Sequence, residues 1–208
     1  MAGTALARRD GRAGFVAETT GVPMDAVYVV AATGALQGPA IPPILPSDAA
    51  PMQMHSNAYR NPETLPEGPV LVIGGGSSGT QIAMELMHAG REVYLSLGPH
   101  DRPPRRYRQR DNVWWLGVLG LWNLDTPHPG TEHVTIAVSG AAGGNTVDFR
   151  KLAGQGMTLL GLSERYDAGV LHFADDLKRN LDADDAHYLA LLDDADAYVT
   201  RNGLDLPQ

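Results

Sequence analysis

Cysteine is absent from all 208 residues, which excludes disulfides, thiolate zinc sites and dithiol redox chemistry in this chain. Positive charge is also short. Sixteen Lys and Arg stand against 24 Asp and Glu, a formal net charge of -8, so the basic footprint of a general nucleic-acid binder is missing. Long apolar runs are lacking too: the longest, Val113 to Trp122, is about half of the ~20 residues that cross a bilayer. The opening Met-Ala-Gly-Thr-Ala-Leu-Ala-Arg-Arg-Asp has no continuous apolar core of a signal peptide. The expectation is a soluble, cytoplasmic protein with no nucleic-acid and no membrane partner. Its composition, 43% hydrophobic and 19% charged, is ordinary, and its length suits one domain or a domain plus a fragment.

What is present begins with apolar strands broken by glycine. Phe15–Thr19 reads as a short strand, and Val27–Ala31 as a buried one ending in Ala32-Thr33-Gly34. The proline-rich stretch from 35 to 68 reads as a connector. Val70–Ile73 is the next strand and runs into three consecutive glycines. Apolar residues at Ile82, Ala83, Leu86 and Met87 then carry helical spacing over Ser77–Ala89, Gly90 suits a left-handed stop, and Val93–Leu97 is a further strand. This is a βαβ unit. Residues 98–130 read as an Arg- and Trp-rich insertion with a helix over Val113–Leu121. Val134–Val138 reads as a strand, Asp148–Gly154 as a short helix and Met157–Leu162 as a strand. Val170–Phe173 is expected to pair with that last strand across a hairpin at Asp167-Ala168-Gly169, and Asp175–Tyr198 to be helical.

Gly74, Gly76 and Gly79 fit G-x-G-x-x-G directly after a strand and at the start of a helix. In such a unit the first glycine makes the turn, the second admits a pyrophosphate and the third packs helix on strand. Ser77 and Ser78 add hydroxyls at the helix start, where capping alone would also explain one of them. In NAD-binding units an acid about 20 residues on takes the ribose; here the second strand ends Leu95-Ser96-Leu97-Gly98-Pro99 and leads to Arg102, Arg105 and Arg106. Guanidinium groups without a carboxylate suit the 2′-phosphate of NADP, although the same arginines could coat a solvated loop. His55, in "MHSNAYRNP" (54–62), is either a hydrogen-bonded loop histidine or an acid–base group. Trp114, Trp115 and Trp122 either wall a pocket or pack the insertion. The aspartates of the tail read as a solvated helix face, with no converging metal ligands.

Taken in order, ATG…P-x-I-P, H-S-x-x-Y-R-N-P, V-L-V-I-G-G-G-S-S-G-x-Q-I-A and R-P-P-R-R-Y-R-x-R-D resemble the flavin-containing monooxygenases, in particular the bacterial FAD/NADP-dependent oxidoreductases. The resemblance implies an α/β, Rossmann-like NAD(P)-binding fold with a partial FAD-domain segment at the N-terminus. Residues 1–48 would be a remnant of the FAD-binding domain and the start of the connector, and 49–208 the NADP-binding domain with its insertion at 98–130. It implies NADP(H) and FAD as cofactors, a small-molecule substrate, and oxygenation by a flavin reduced with NADPH. On this reading Gly74, Gly76, Ser77, Ser78 and Gly79 hold the pyrophosphate, Ser96, Arg102 and Arg105 the 2′-phosphate, and His55 and Tyr59 line the junction of nicotinamide and flavin. Of the family's F-x-G-x-x-x-H signature and its distal aromatic, His55 and Tyr59 match, while Ala49 and Pro51 stand where Phe and Gly belong. The family's N-terminal FAD-binding glycine turn has no counterpart in residues 1–26, which leaves open a non-catalytic nucleotide-binding module, a subunit of a split flavoenzyme completed by a FAD-domain polypeptide, or a homo-oligomer.

Overall fold

The computed structural model describes residues 3–9, 11, 13–30, 32, 38–49, 51–125 and 135–207. The chain divides into two compact units, residues 1–39 and 40–208.

In the first unit, β1 (Gly3–Arg8), β2 (Phe15–Thr19) and β3 (Met24–Ala26) form an antiparallel meander in that order. Leu6 faces Ala17 and Val16 faces Asp25. Arg9 Nε donates to Asp25 across the sheet at 3.1 Å. The strand expected at Val27–Ala31 is not formed over its described part. Pairing with β2 stops at Ala26, and Val27–Val30 belong to no strand, with Tyr28 and Val30 each 86% exposed. β-branched residues favour strands only where a neighbour accepts the ladder bonds and the side chains are half covered, and neither holds here. Ala31, Thr33 and Gly34 lie outside the described residues.

The second unit is built on the βαβ motif read from the sequence. β4 (Val70–Ile73) and β5 (Val93–Ser96) are parallel, and β8 (Thr158–Leu160) adds on the other side of β5. Val70 lies opposite Val93, and Val72 opposite Leu95, so these four share one face. Ala83 and Leu86 of α1 (Ser77–His88) are fully buried in the same cluster as Val93 and Leu95. The helix ends as expected: Gly90 has φ +78°, its N–H donates to the Met87 carbonyl, and that of Arg91 to Leu86.

The insertion carries a tight ribbon, β6 (Arg106–Tyr107) with β7 (Arg110–Asp111), and then α2 (Asn112–Val118), capped by the Asp111 carboxylate. Trp115 is buried, donates Nε1–H to the Tyr107 carbonyl, and packs with Ala195 and Val199 in a second cluster that Trp114 and Tyr198 flank. Two of the three tryptophans are therefore packing residues, and only Trp122 is exposed, at 60%. Where a strand was expected at Val134–Val138, Ile136 makes a single parallel bridge with Asp101; Val134 is outside the described residues.

α3 (Phe149–Gly154) starts at Asp148, whose carboxylate accepts from Lys151 N–H. The hairpin at Asp167-Ala168-Gly169 forms, but with a different first strand. β10 (Val170–Phe173) pairs with β9 (Ser163–Asp167), while residues 158–160 pair with β5. Ala168 and Gly169, both at positive φ, make a two-residue turn that fixes this register. Gly161 lets the chain leave the parallel sheet, since a Cβ there would run into the Ala174 carbonyl and stand 2.6 Å from Asp176 Oδ1. α4 (Leu177–Arg201) closes the chain. Its aspartates are not all solvated: Asp184 is fully buried. None of the described helices is long and apolar enough to cross a membrane, and no metal-ligand cluster occurs among the described residues.

Candidate nucleotide site

The glycine turn is anchored at its first residue. Gly74 donates its N–H to the Ser96 carbonyl at 3.0 Å and takes φ +108°, which places the carbonyl of Gly74 against the next turn of chain. A Cβ on Gly79 would be driven into that carbonyl oxygen, so helix and strand meet at a distance only glycine allows. The first bond of α1 runs from Thr80 N–H to the Gly76 carbonyl. Among the described residues the N–H groups of Ser77, Ser78 and Gly79 have no acceptor, so the positive end of the helix dipole carries unused donors that suit an anion. Ser78 is exposed beside it.

Ser77 is engaged differently. Its hydroxyl donates to the Ile136 carbonyl at 2.9 Å and accepts from Val138 N–H at 3.2 Å. Over Gly76, a Cβ would meet the Thr135 methyl at 3.6 Å and the Ile136 carbonyl at 3.9 Å. Residues 135–138 thus lie across the start of α1. The sequence offered no local signal for this, because the contact spans 59 residues.

The residues read as 2′-phosphate ligands separate into three environments. Ser96 is 1% exposed, and its hydroxyl lies 2.8 Å from both the Gly161 carbonyl and Ser163 Oγ, turned into the corner after β8. Arg102 reaches α4: its guanidinium pairs with Asp184 and Asp185, its backbone N–H donates to Asp184 at 2.7 Å, and Tyr188 lies under it at 5.1 Å. Burial pushes the Asp184 carboxyl up, against the pull of Arg102. The imidazole of His100, edge-on to Phe149, has Nε2 at 3.9 Å from the same carboxylate. Arg105 is less committed. Nη1 donates to Asp111 at 2.9 Å, but Nε is buried without a partner among the described residues and lies against Gly144, where a Cβ would come within 2.9 Å. Arg106 is exposed.

His55 and Tyr59 sit on the connector. His55 caps a 3₁₀ turn through Nδ1, which accepts from Asn57 N–H at 3.2 Å. Tyr59 donates its hydroxyl to Glu85 at 3.1 Å; burial first, then that hydrogen bond, pushes the phenol up to about 12, so it stays a donor at neutral pH. Glu85 is eight residues along α1 from Ser77, a rise of about 12 Å, so the structure does not bring the Tyr59 hydroxyl to the glycine turn. Arg91 completes this clamp with hydrogen bonds to the carbonyls of Pro66 and Gly68. Neither Glu85 nor Arg91 was legible as a partner beforehand.

A family model described as "Pyridine nucleotide-disulphide oxidoreductase" matches residues 5–113, more than half of the chain. The chain belongs to that family. Its segments also match curated proteins: an "Uncharacterized oxidoreductase CzcO-like" of Geobacillus kaustophilus (strain HTA426), 46% identical over 98 residues, which are 46% of this chain and 28% of the relative. A second is an "Uncharacterized oxidoreductase CzcO" of Bacillus subtilis (strain 168), 39% identical over 95 residues, 45% of this chain and 27% of the relative. A third is "Flavin-containing monooxygenase FMO GS-OX-like 8" of Arabidopsis thaliana, 38% identical over 88 residues, 41% of this chain and 19% of the relative. The matched segment spans little more than a quarter of the relatives' length at most. Beyond that family, the chain is similar over these segments to bacterial oxidoreductases and to flavin-containing monooxygenases, and its own sequence carries no cysteine for dithiol chemistry.

The family's cofactors are FAD and NADP(H), and the residues present fit one dinucleotide. Gly74, Gly79 and the free N–H groups of α1 suit a pyrophosphate, while the space over Gly76 is held by residues 135–136. No second strand–glycine–helix turn occurs among the described residues.

Proposed function

We propose that this chain supplies the NADPH site of an FAD- and NADPH-dependent oxidoreductase, a monooxygenase that uses oxygen on a small-molecule substrate. The observation that carries the reading is the glycine turn, with Gly74 at positive φ, Gly79 in close contact with it, and three donors free at the start of α1. The relatives named as flavin-containing monooxygenases support the flavin and oxygen half. NADPH, when bound, supplies the hydride that reduces a flavin; the task of these residues is to hold and orient it. Gly74, Gly76, Ser78 and Gly79 would face the pyrophosphate. Arg105 fits the 2′-phosphate better than Arg102, because its Nε lacks a partner among the described residues whereas Arg102 is tied to two carboxylates. Ser96, with its hydroxyl turned inward, would shape the strand end, and His55 and Tyr59 would position the connector.

NADPH is expected to bind more tightly than NADH in a fluorescence or calorimetric titration. Arg105→Ala should weaken NADPH by about 1.5–3 kcal/mol, the worth of a hydrogen bond to a charged group, and leave NADH nearly unchanged. Equal affinities for the two nucleotides would remove Arg105 from the site.

A second reading is a non-catalytic nucleotide module, or one subunit of a split flavoenzyme. It is favoured by the single strand–glycine–helix turn among the described residues. On this reading the purified chain is colourless, binds NADPH, and does not turn it over when FAD alone is added. A yellow preparation with stoichiometric FAD and NADPH oxidase activity would show instead that the chain is a working enzyme by itself.

A further inference from the structure

Residues 135–138 form a strap on the glycine turn. Thr135 accepts from Asp101 N–H at 2.8 Å, Ala137 donates to the Asp101 carbonyl at 2.8 Å, and Ser77 bridges Ile136 and Val138 through its one hydroxyl. The strap is held unevenly. Ala137 is fully buried in the main core and acts as its root, whereas Ile136 is 43% exposed and stands outside that core cluster. Its outer half, Thr135 and Ile136, is the half that lies over Gly76, and among the described residues two hydrogen bonds alone hold it: Asp101 N–H to Thr135 and Ser77 Oγ–H to Ile136. The Ile136 carbonyl thereby brings a partial negative charge to the positive end of α1, the place an anionic oxygen would also seek.

We infer that Thr135–Val138 is an autoinhibitory strap, latched by Ser77, whose outer half must lift off Gly76 for a dinucleotide to seat its pyrophosphate. The inference rests on the NADPH reading above. It assigns Ser77 a positioning role: its hydroxyl is the latch, not a ligand. Where only the open form binds, the apparent dissociation constant is the intrinsic one divided by the open fraction, so a weaker latch tightens binding. A direct phosphate ligand would give the opposite sign.

The test is NADPH titration of the full chain and of Ser77→Ala, with amide hydrogen exchange read with and without the nucleotide. Ser77→Ala should bind NADPH about three- to tenfold more tightly, the effect of losing one or two modest hydrogen bonds from the closed form. In the wild-type chain, saturating NADPH should speed exchange at the Asp101 and Val138 amides, which donate to Thr135 and Ser77, and slow it at Ser77–Gly79. Binding by Ser77→Ala alone would support the strap in its strongest form. Equal or weaker binding by Ser77→Ala, with Asp101 and Val138 unchanged by NADPH, would overturn the strap and leave the nucleotide site standing. Failure of both proteins to bind would overturn both readings.

Discussion

Arg102→Ala is expected to lower the unfolding free energy by about 3–5 kcal/mol, the usual consequence of leaving one member of a buried ion pair alone. The Arg102 side chain is 11% exposed and that of Asp184 1%, so without the guanidinium a carboxylate would remain in the interior with the Arg102 N–H as its main compensation. Urea unfolding followed by tryptophan fluorescence measures this, since all three tryptophans lie in the 40–208 unit. Two controls separate the pair from simple loss of packing. Adding Asp184→Asn to Arg102→Ala should restore part of the stability, because the uncompensated charge is gone while an oxygen remains to accept from Arg102 N–H. The deficit of the single variant should also shrink as pH falls. Burial already raises the Asp184 carboxyl, and losing Arg102 removes the main opposing influence. An acid raised in the folded state binds protons more readily there than in the unfolded chain. Relative to the wild type, the variant therefore regains stability on acidification into and just above the ordinary carboxylate range, while the carboxylates held low, Asp176, Asp182 and Asp196, act alike in both proteins. A variant as stable as the wild type at neutral pH would mean that Arg102 is free for a ligand.

Gly79→Ala is expected to cost about 3 kcal/mol, the upper end for overpacking, because its Cβ meets a backbone carbonyl that cannot yield without moving the end of β4. NADPH binding should fall with it. Gly76→Ala is the contrast: its Cβ meets only ordinary contacts at 3.6 and 3.9 Å, so stability should stay within about 0.5 kcal/mol of the wild type. Unfolding curves for the two variants check this, and similar midpoints would mean that the turn tolerates a looser packing of α1 on β4 than its geometry implies.

The sequence by itself determined the parts whose physics is local. The apolar run Val70–Ile73, the spacing of Ile82, Ala83, Leu86 and Met87, and the stop at Gly90 specify strand, helix and cap within a few residues of each other, and the structure has each of them. The ordered motifs likewise carried a resemblance to flavin-dependent oxidoreductases that the family match and the similar proteins support. Only the tertiary structure decided what the charged and polar groups do. Arginines following a strand without a carboxylate look free until α4, 82 residues later, brings Asp184 to Arg102. The strap on Ser77 and the Tyr59–Glu85 clamp, 59 and 26 residues apart, have no periodicity to announce them. Val27–Val30 shows the same limit for apolar residues, since strand propensity needs a partner to pair with and β2 stops at Ala26. Hydrophobic pattern is written along the chain because burial repeats with the turn of each element. Ion pairs and hydrogen bonds depend on which elements meet, and that is set only when the core closes.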